Sequence, residues 1–101
     1  MRLMIMFDLP VETAIERKAY RTFRKALINE GFVMIQFSVY VRVCASANSA
    51  KYMKLRVQKF LQADGLVQTM MLTEKQYLDM HFLLGKPLDD VRNTSDRTVI
   101  I

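Results

Sequence analysis

Arg2-Leu3-Met4-Ile5-Met6-Phe7 is an apolar run with almost no polar alternation, and Asp8-Leu9-Pro10 ends it. A half-buried strand alternates apolar and polar residues, whereas a strand covered on both faces does not, so residues 2–7 read as the central strand of a sheet. The same run could open a signal peptide, but Asp8 and Pro10 cut it far short of the apolar length that export or membrane spanning needs. A chain of 101 residues has room for one domain, since domains usually run to about 100–150 residues.

Working outward, Thr13-Ala-Ile-Glu16 matches a capping box and Gly31 supplies a C-terminal stop, which predicts a helix over 13–30. From Phe32 to Cys44 the odd positions Val33, Ile35, Phe37, Val39, Val41 and Val43 are apolar, while the even ones include Gln36, Ser38 and Arg42. This is strand periodicity. The segment exceeds the usual strand length of about 5–6 residues, so it is either one bulged strand or two short antiparallel ones. Asn48 or Ser49 can cap a second helix to about Ala63, with Met53, Val57, Phe60 and Leu61 as its apolar stripe and Asp64-Gly65 closing it. Leu66 to Leu72 reads as a strand. Thr73-Glu-Lys-Gln76 is a second capping box, opening a helix through Leu84 that stops at Gly85 with Pro87 beyond.

Strand, helix, one or two strands, helix, strand is the order of a ferredoxin-like split βαβ fold, an α+β architecture with an antiparallel sheet covered by helices on one face. The expected organisation is a single domain with its core in 1–72, an added helix over 73–85 and a tail over 86–101. The tail ends on Thr98-Val99-Ile100-Ile101, a β-branched run with nowhere to pair inside so small a sheet, as if reserved for a neighbouring chain. The uncovered sheet face also calls for a second copy, and the 51% apolar content is consistent with surface buried between subunits.

Fifteen Lys and Arg against ten Asp and Glu give a formal charge of +5 and a pI near 9.6, favouring polyanionic partners. Cys44 is the only cysteine, which excludes an intramolecular disulfide and fits a reducing cytosol. With three glycines and no Gly-rich loop, a Walker-type nucleotide site is excluded. Nothing directs the chain to a membrane.

Five cations stand out on the first helix. At about 100° per residue, Arg17, Lys18, Arg21, Arg24 and Lys25 fall within an arc of about 120°, opposite Ile15, Ala19, Tyr20, Phe23, Ala26 and Leu27. Solvated faces usually mix signs to form spaced ion pairs, and this one carries no acid, which points to phosphate binding. Asp8 is a carboxylate at the end of a buried strand, on the side of Met4 and Met6. It either caps the following turn or forms one half of a magnesium site, that ion usually taking one or two carboxylates together with waters and phosphate oxygens. Gln36, Ser38 and Arg42 share a strand face and could meet nucleic acid or one another. His81 lacks a second His at ligand spacing and is read as a packed or capping residue.

The stretches Met4-Ile-Met-Phe7-Asp8-Leu-Pro, Glu16-Arg-Lys-Ala-Tyr-Arg21, Glu30-Gly31-Phe32 and Gln36-Phe-Ser38-Val39-Tyr40-Val41 together resemble the second universal CRISPR-associated (Cas) protein family. The match covers roughly residues 1–72, and the Thr73-Glu-Lys-Gln helix is similar to the variant found beside type II systems. The resemblance implies a ferredoxin-like homodimer, two strands reversing near Gln36, and a C-terminal strand that joins the partner's sheet. It also implies docking between two dimers of the Cas integrase during spacer acquisition, with duplex protospacer DNA held on the basic helix faces. Family members act as magnesium-dependent endonucleases on single-stranded RNA or duplex DNA, with the strand-end aspartate of each subunit contributing to a shared Mg2+ site. Asp8 inherits that catalytic and metal-binding position. Many relatives carry a tyrosine just before this aspartate, where this chain has Phe7 and no hydroxyl. A free-standing metal-dependent endoribonuclease, or a toxin-like nuclease on the same fold, is the alternative.

Overall fold

The computed structural model describes residues 1–61 and 64–87. In chain order the elements are β1 (Arg2–Asp8), α1 (Ala14–Asn29), β2 (Val33–Gln36), β3 (Val39–Val43), α2 (Ala47–Gln58), β4 (Leu66–Leu72) and α3 (Glu74–Leu78). The four strands pair antiparallel in the order β2-β3-β1-β4, which is the ferredoxin-like arrangement with an added helix. The added strand expected at 98–101 lies outside the described residues.

β1 is central and buried on both faces, as its unalternating sequence predicts. Leu3, Ile5 and Phe7 face the helices and pack with Phe23 and Leu27 of α1 and with Ala50, Met53 and Val57 of α2. On the opposite face Met4 packs with Val41 and Leu72, and Met6, Ile35, Val39 and Tyr77 close around them. The segment 32–44 resolves into a hairpin, with Phe37 and Ser38 as its two loop residues and Gln36 opposite Val39.

Both capping boxes form: Glu16 N–H donates to Thr13 Oγ1 and Gln76 N–H to Thr73 Oγ1, each at 3.1 Å. Three expectations need correction. α2 is capped by Ser46, whose Oγ accepts from Ser49 N–H at 3.1 Å, rather than by Asn48 or Ser49, and it ends at Gln58, so Leu61 stays outside the core. α3 stops at Leu78 rather than Leu84: Met80 N–H reaches back only three residues, to the Tyr77 carbonyl, and Met80, Phe82, Leu83 and Leu84 are exposed. Ile15 is 82% exposed, because the fully buried contacts of α1 come only from its second half, at Phe23 and Leu27.

α3 is tied down by a residue that the apolar reading of β1 passed over. Arg2 shares the Met4 face of β1 and is 8% exposed. Its Nε and Nη2 donate to Glu74 Oε2 and Oε1 at 2.8 and 3.0 Å, a fork-to-fork pair, while its guanidinium lies 4.0 Å from the centre of the Tyr77 ring. Hydrogen bonding from Arg2 holds the Glu74 carboxyl below the usual carboxylate range, with desolvation working against it. A depressed folded-state pKa stabilises the fold above the ordinary carboxylate pKa and loses that stabilisation as pH falls through the folded value. Glu74→Gln is therefore expected to make the acid limb of urea-unfolding stability against pH shallower below about pH 4.5. The effect should be at most about 1 kcal/mol, because the carboxylate is half exposed. An acid limb identical to that of the wild type would refute this role for the pair.

Candidate functional site

Asp8 closes β1 opposite Leu66 of β4, so by strand alternation its side chain shares the face of Met4 and Met6. It is exposed and makes no hydrogen bond or ion pair among the described residues. The backbone around it is fixed from two sides. Gly65 has φ +118°, and a Cβ there would stand 2.6 Å from Leu9 Cδ2 and 2.8 Å from the Asp8 carbonyl oxygen, so only glycine lets the start of β4 approach the strand end. On the other side Phe7 N–H donates to the Ser38 carbonyl at 3.0 Å. Ser38 is the only non-glycine residue with positive φ, +63°, among the described residues. Its hydroxyl shares a hydrogen bond with the Tyr20 hydroxyl of α1 at 3.1 Å.

Phe7, named in sequence as a neighbour of the site, is a core residue. Its ring packs against Tyr20, Phe23 and Tyr40 at centroid distances of 5.8, 5.1 and 5.7 Å, on the helix side and opposite to Asp8. Arg42 is not brought to Asp8 either. Its Nε donates to the Glu30 carbonyl at 2.7 Å, at the far end of α1, and Arg42 pairs with Leu3, roughly 17 Å along β1 from Asp8 at about 3.4 Å per residue. Gln36 is exposed at the end of β2 and Ser38 lies in the loop, so Gln36, Ser38 and Arg42 do not form one face: the hairpin reverses between them. His81 stands 3.6 Å from Asp79 with both side chains exposed.

The five cations of α1 are all exposed, but they are not equivalent. Arg17 Nη1 donates to the Val11 and Glu12 carbonyls at 3.1 and 2.9 Å, bracing the loop after β1. Arg24 Nε donates to the Tyr40 hydroxyl at 2.8 Å; burial pushes that phenol's pKa up, against the hydrogen bond from Arg24. Arg24 is thus held toward β3 and Arg17 toward the loop that precedes α1. Lys18, Arg21 and Lys25 make no hydrogen bond or ion pair among the described residues. The nearby acid Glu16 is occupied with the Glu12 and Thr13 amides.

No group of three or more His, Cys, Asp or Glu side chains that could hold a metal occurs among the described residues, and Asp8 offers magnesium one carboxylate. This fits half of a site whose other ligands would be waters, phosphate oxygens and a second carboxylate. No helix among the described residues is long and apolar enough to cross a membrane.

Residues 1–80 match the family model for CRISPR associated protein Cas2. The chain belongs to the Cas2 family. It is 63% identical over its whole length, and over the whole length of the relative, to a CRISPR-associated endoribonuclease Cas2 of Ligilactobacillus salivarius. A protein of the same name from Lacticaseibacillus rhamnosus is 58% identical, again with both chains fully covered. One from Streptococcus mutans is 40% identical, with 100% of this chain and 93% of the relative covered. Cas2-family membership thus rests on the whole chain, beyond the stretch of about 72 residues that the motifs alone suggested.

Two supports of the site have weak sequence signals. Gly65 reads in sequence only as a helix stop, and the hydroxyls of Tyr20 and Tyr40 read only as parts of an apolar stripe and a strand. Gly65→Ala is expected to destabilise the protein by more than about 1 kcal/mol, the left-handed penalty alone, and to shift the amide resonances of Asp8 and Leu9. A melting temperature and spectrum matching the wild type would show that β4 does not set the Asp8 end.

Proposed function

We propose that this Cas2-family chain works as a homodimeric subunit of CRISPR adaptation that holds duplex DNA on the basic faces of its two α1 helices and bridges integrase dimers. The observation that carries this reading is the uncompensated cation set of α1, with Lys18, Arg21 and Lys25 free among the described residues and Arg17 and Arg24 braced. Braced guanidinia lose little conformational freedom when they meet a phosphate. The free ones adapt to its path, and such contacts position a duplex without reading its bases. Dimerisation is supported by the sheet face opposite the helices, where Val43, Leu66 and Met70 are exposed beside the half-buried Met6 and Val39. A second copy covering that face near the end of β1 would pair the two Asp8 carboxylates.

Phosphodiester cleavage is the chemistry that such a pair supports, and the relatives' shared name, endoribonuclease, favours RNA as a second substrate class. Magnesium held there would polarise a phosphodiester and acidify a water. Asp8 would contribute one unengaged carboxylate per chain, on a strand end fixed by Gly65 and Ser38. Phe7, buried on the other face, takes no part in the chemistry.

Two measurements test these roles separately. Affinity for duplex DNA should fall with log salt at about −0.9 per neutralised phosphate, and the Lys18→Ala, Arg21→Ala, Lys25→Ala triple variant should flatten that slope by about one unit for each phosphate that no longer meets a cation. A slope equal to that of the wild type would move the DNA surface elsewhere. Asp8→Asn keeps size and loses charge; it is expected to abolish magnesium-dependent cleavage while duplex affinity and oligomeric mass stay unchanged. Cleavage that persists in this variant would remove Asp8 from the metal site.

A further inference from the structure

At the tip of the β2–β3 hairpin Phe37 is 86% exposed. Single exposed apolar residues are ordinary on protein surfaces, and Leu83 and Leu84 are more exposed still, but those lie where no strand or helix fixes them. Phe37 sits in a two-residue loop held at three points: the Gln36–Val39 pairing below it, the Phe7 N–H bond to the Ser38 carbonyl, and the Tyr20–Ser38 hydroxyl bond. Tight hairpin loops ordinarily place Gly or Asn where φ is positive. Here a serine takes that strained conformation, and its hydroxyl ties the loop to α1. Backbone strain that persists because its surroundings hold it is a recurring mark of functional positions.

The tip is tied to α1 at Tyr20, a residue of the apolar side of that helix. Tyr20, which holds Ser38, lies beside Arg21 and one turn from Arg17 and Arg24. Arg24 in turn is held by Tyr40, two residues beyond Ser38. An aromatic ring presented to water on a loop tied to a helix that carries several cations unpaired among the described residues combines the two elements that bind a single strand, a ring on which bases stack and cations that meet phosphates. We propose that Phe37 is a stacking platform for an unpaired nucleobase of a strand whose phosphates run along α1. This rests on the nucleic-acid reading of that helix. Along its length, away from its two ends, a duplex offers the platform no free base face, because its bases already stack on one another.

The test uses the full-length chain with fluorescein-labelled single-stranded RNA and single-stranded DNA of about 12 nucleotides and a matched duplex. Anisotropy is read in chelator to prevent cleavage, together with light scattering for mass. Phe37→Ala is expected to weaken both single strands at least about five-fold, to change duplex affinity less than two-fold, and to leave the salt slope and the mass unchanged. Phe37→Trp should restore single-strand binding. Ser38→Gly, which relieves the strain but cuts the tie to Tyr20, should give an intermediate loss. A loss confined to RNA or to DNA would still support the platform and identify which strand it serves. Unchanged single-strand affinity in Phe37→Ala, an equal loss on the duplex, or a change in mass showing that a second copy covers the ring would each overturn the proposal while leaving the α1 reading intact. If the wild type bound none of the three probes, both would fall together.

Discussion

Burial of β1 on both faces is the constraint from which the remaining structure follows. A strand with Leu3, Ile5 and Phe7 on one side and Met4 on the other cannot sit at a sheet edge without exposing apolar side chains and unpaired backbone groups. It therefore takes β3 and β4 as antiparallel neighbours and needs a cover on each face. α1 and α2 cover the first. α3 and Tyr77 cover only part of the second, and Val43, Leu66 and Met70 stay in water. The incomplete cover on that face is the physical argument for a second subunit.

The two ends of β1 are treated in opposite ways. At its start a buried guanidinium meets a carboxylate in a fork and stacks on a ring, so charge is matched and α3 is anchored. At its finish Asp8 is left without a partner among the described residues, while its backbone is fixed by the close approach of Gly65 and by the bond from Phe7 to Ser38. A fixed backbone carrying an uncommitted carboxylate is an arrangement able to bind a ligand, and it differs from a turn cap, in which the carboxylate would be spent on nearby amides.

α1 serves the core and the surface at once, and it does so by dividing its residues along as well as around the helix. Phe23 and Leu27 hold it to the sheet, whereas the first turn, with Ile15, projects into solvent. The cations divide in the same manner. Arg17 and Arg24, at the margins of the basic arc nearest the apolar side, reach a backbone carbonyl pair and a buried tyrosine hydroxyl. Lys18, Arg21 and Lys25, at its middle and outer margin, reach nothing among the described residues.

The local rules that depend on a few neighbouring residues were legible in the sequence by itself: the doubly buried β1, the capping boxes at Thr13 and Thr73, the basic arc of α1 and the stop at Gly31. Each is set by periodicity or by a cap three residues away, and neither needs tertiary information. The Gln36-to-Val41 stretch and the strand-end Asp8 also carried the family. Only the tertiary structure decided what depends on residues far apart in sequence. The break of 32–44 at Phe37–Ser38 is stabilised by Phe7 and Tyr20, and α2 and α3 end at Gln58 and Leu78, short of the glycines that read as their stops. Arg42 was spent on Glu30 and Phe7 on the aromatic core because the hairpin reversal and strand alternation turned both away from Asp8. Alternation along one strand places a side chain on a face, but which partner waits on that face is determined by chain segments that the local pattern does not contain.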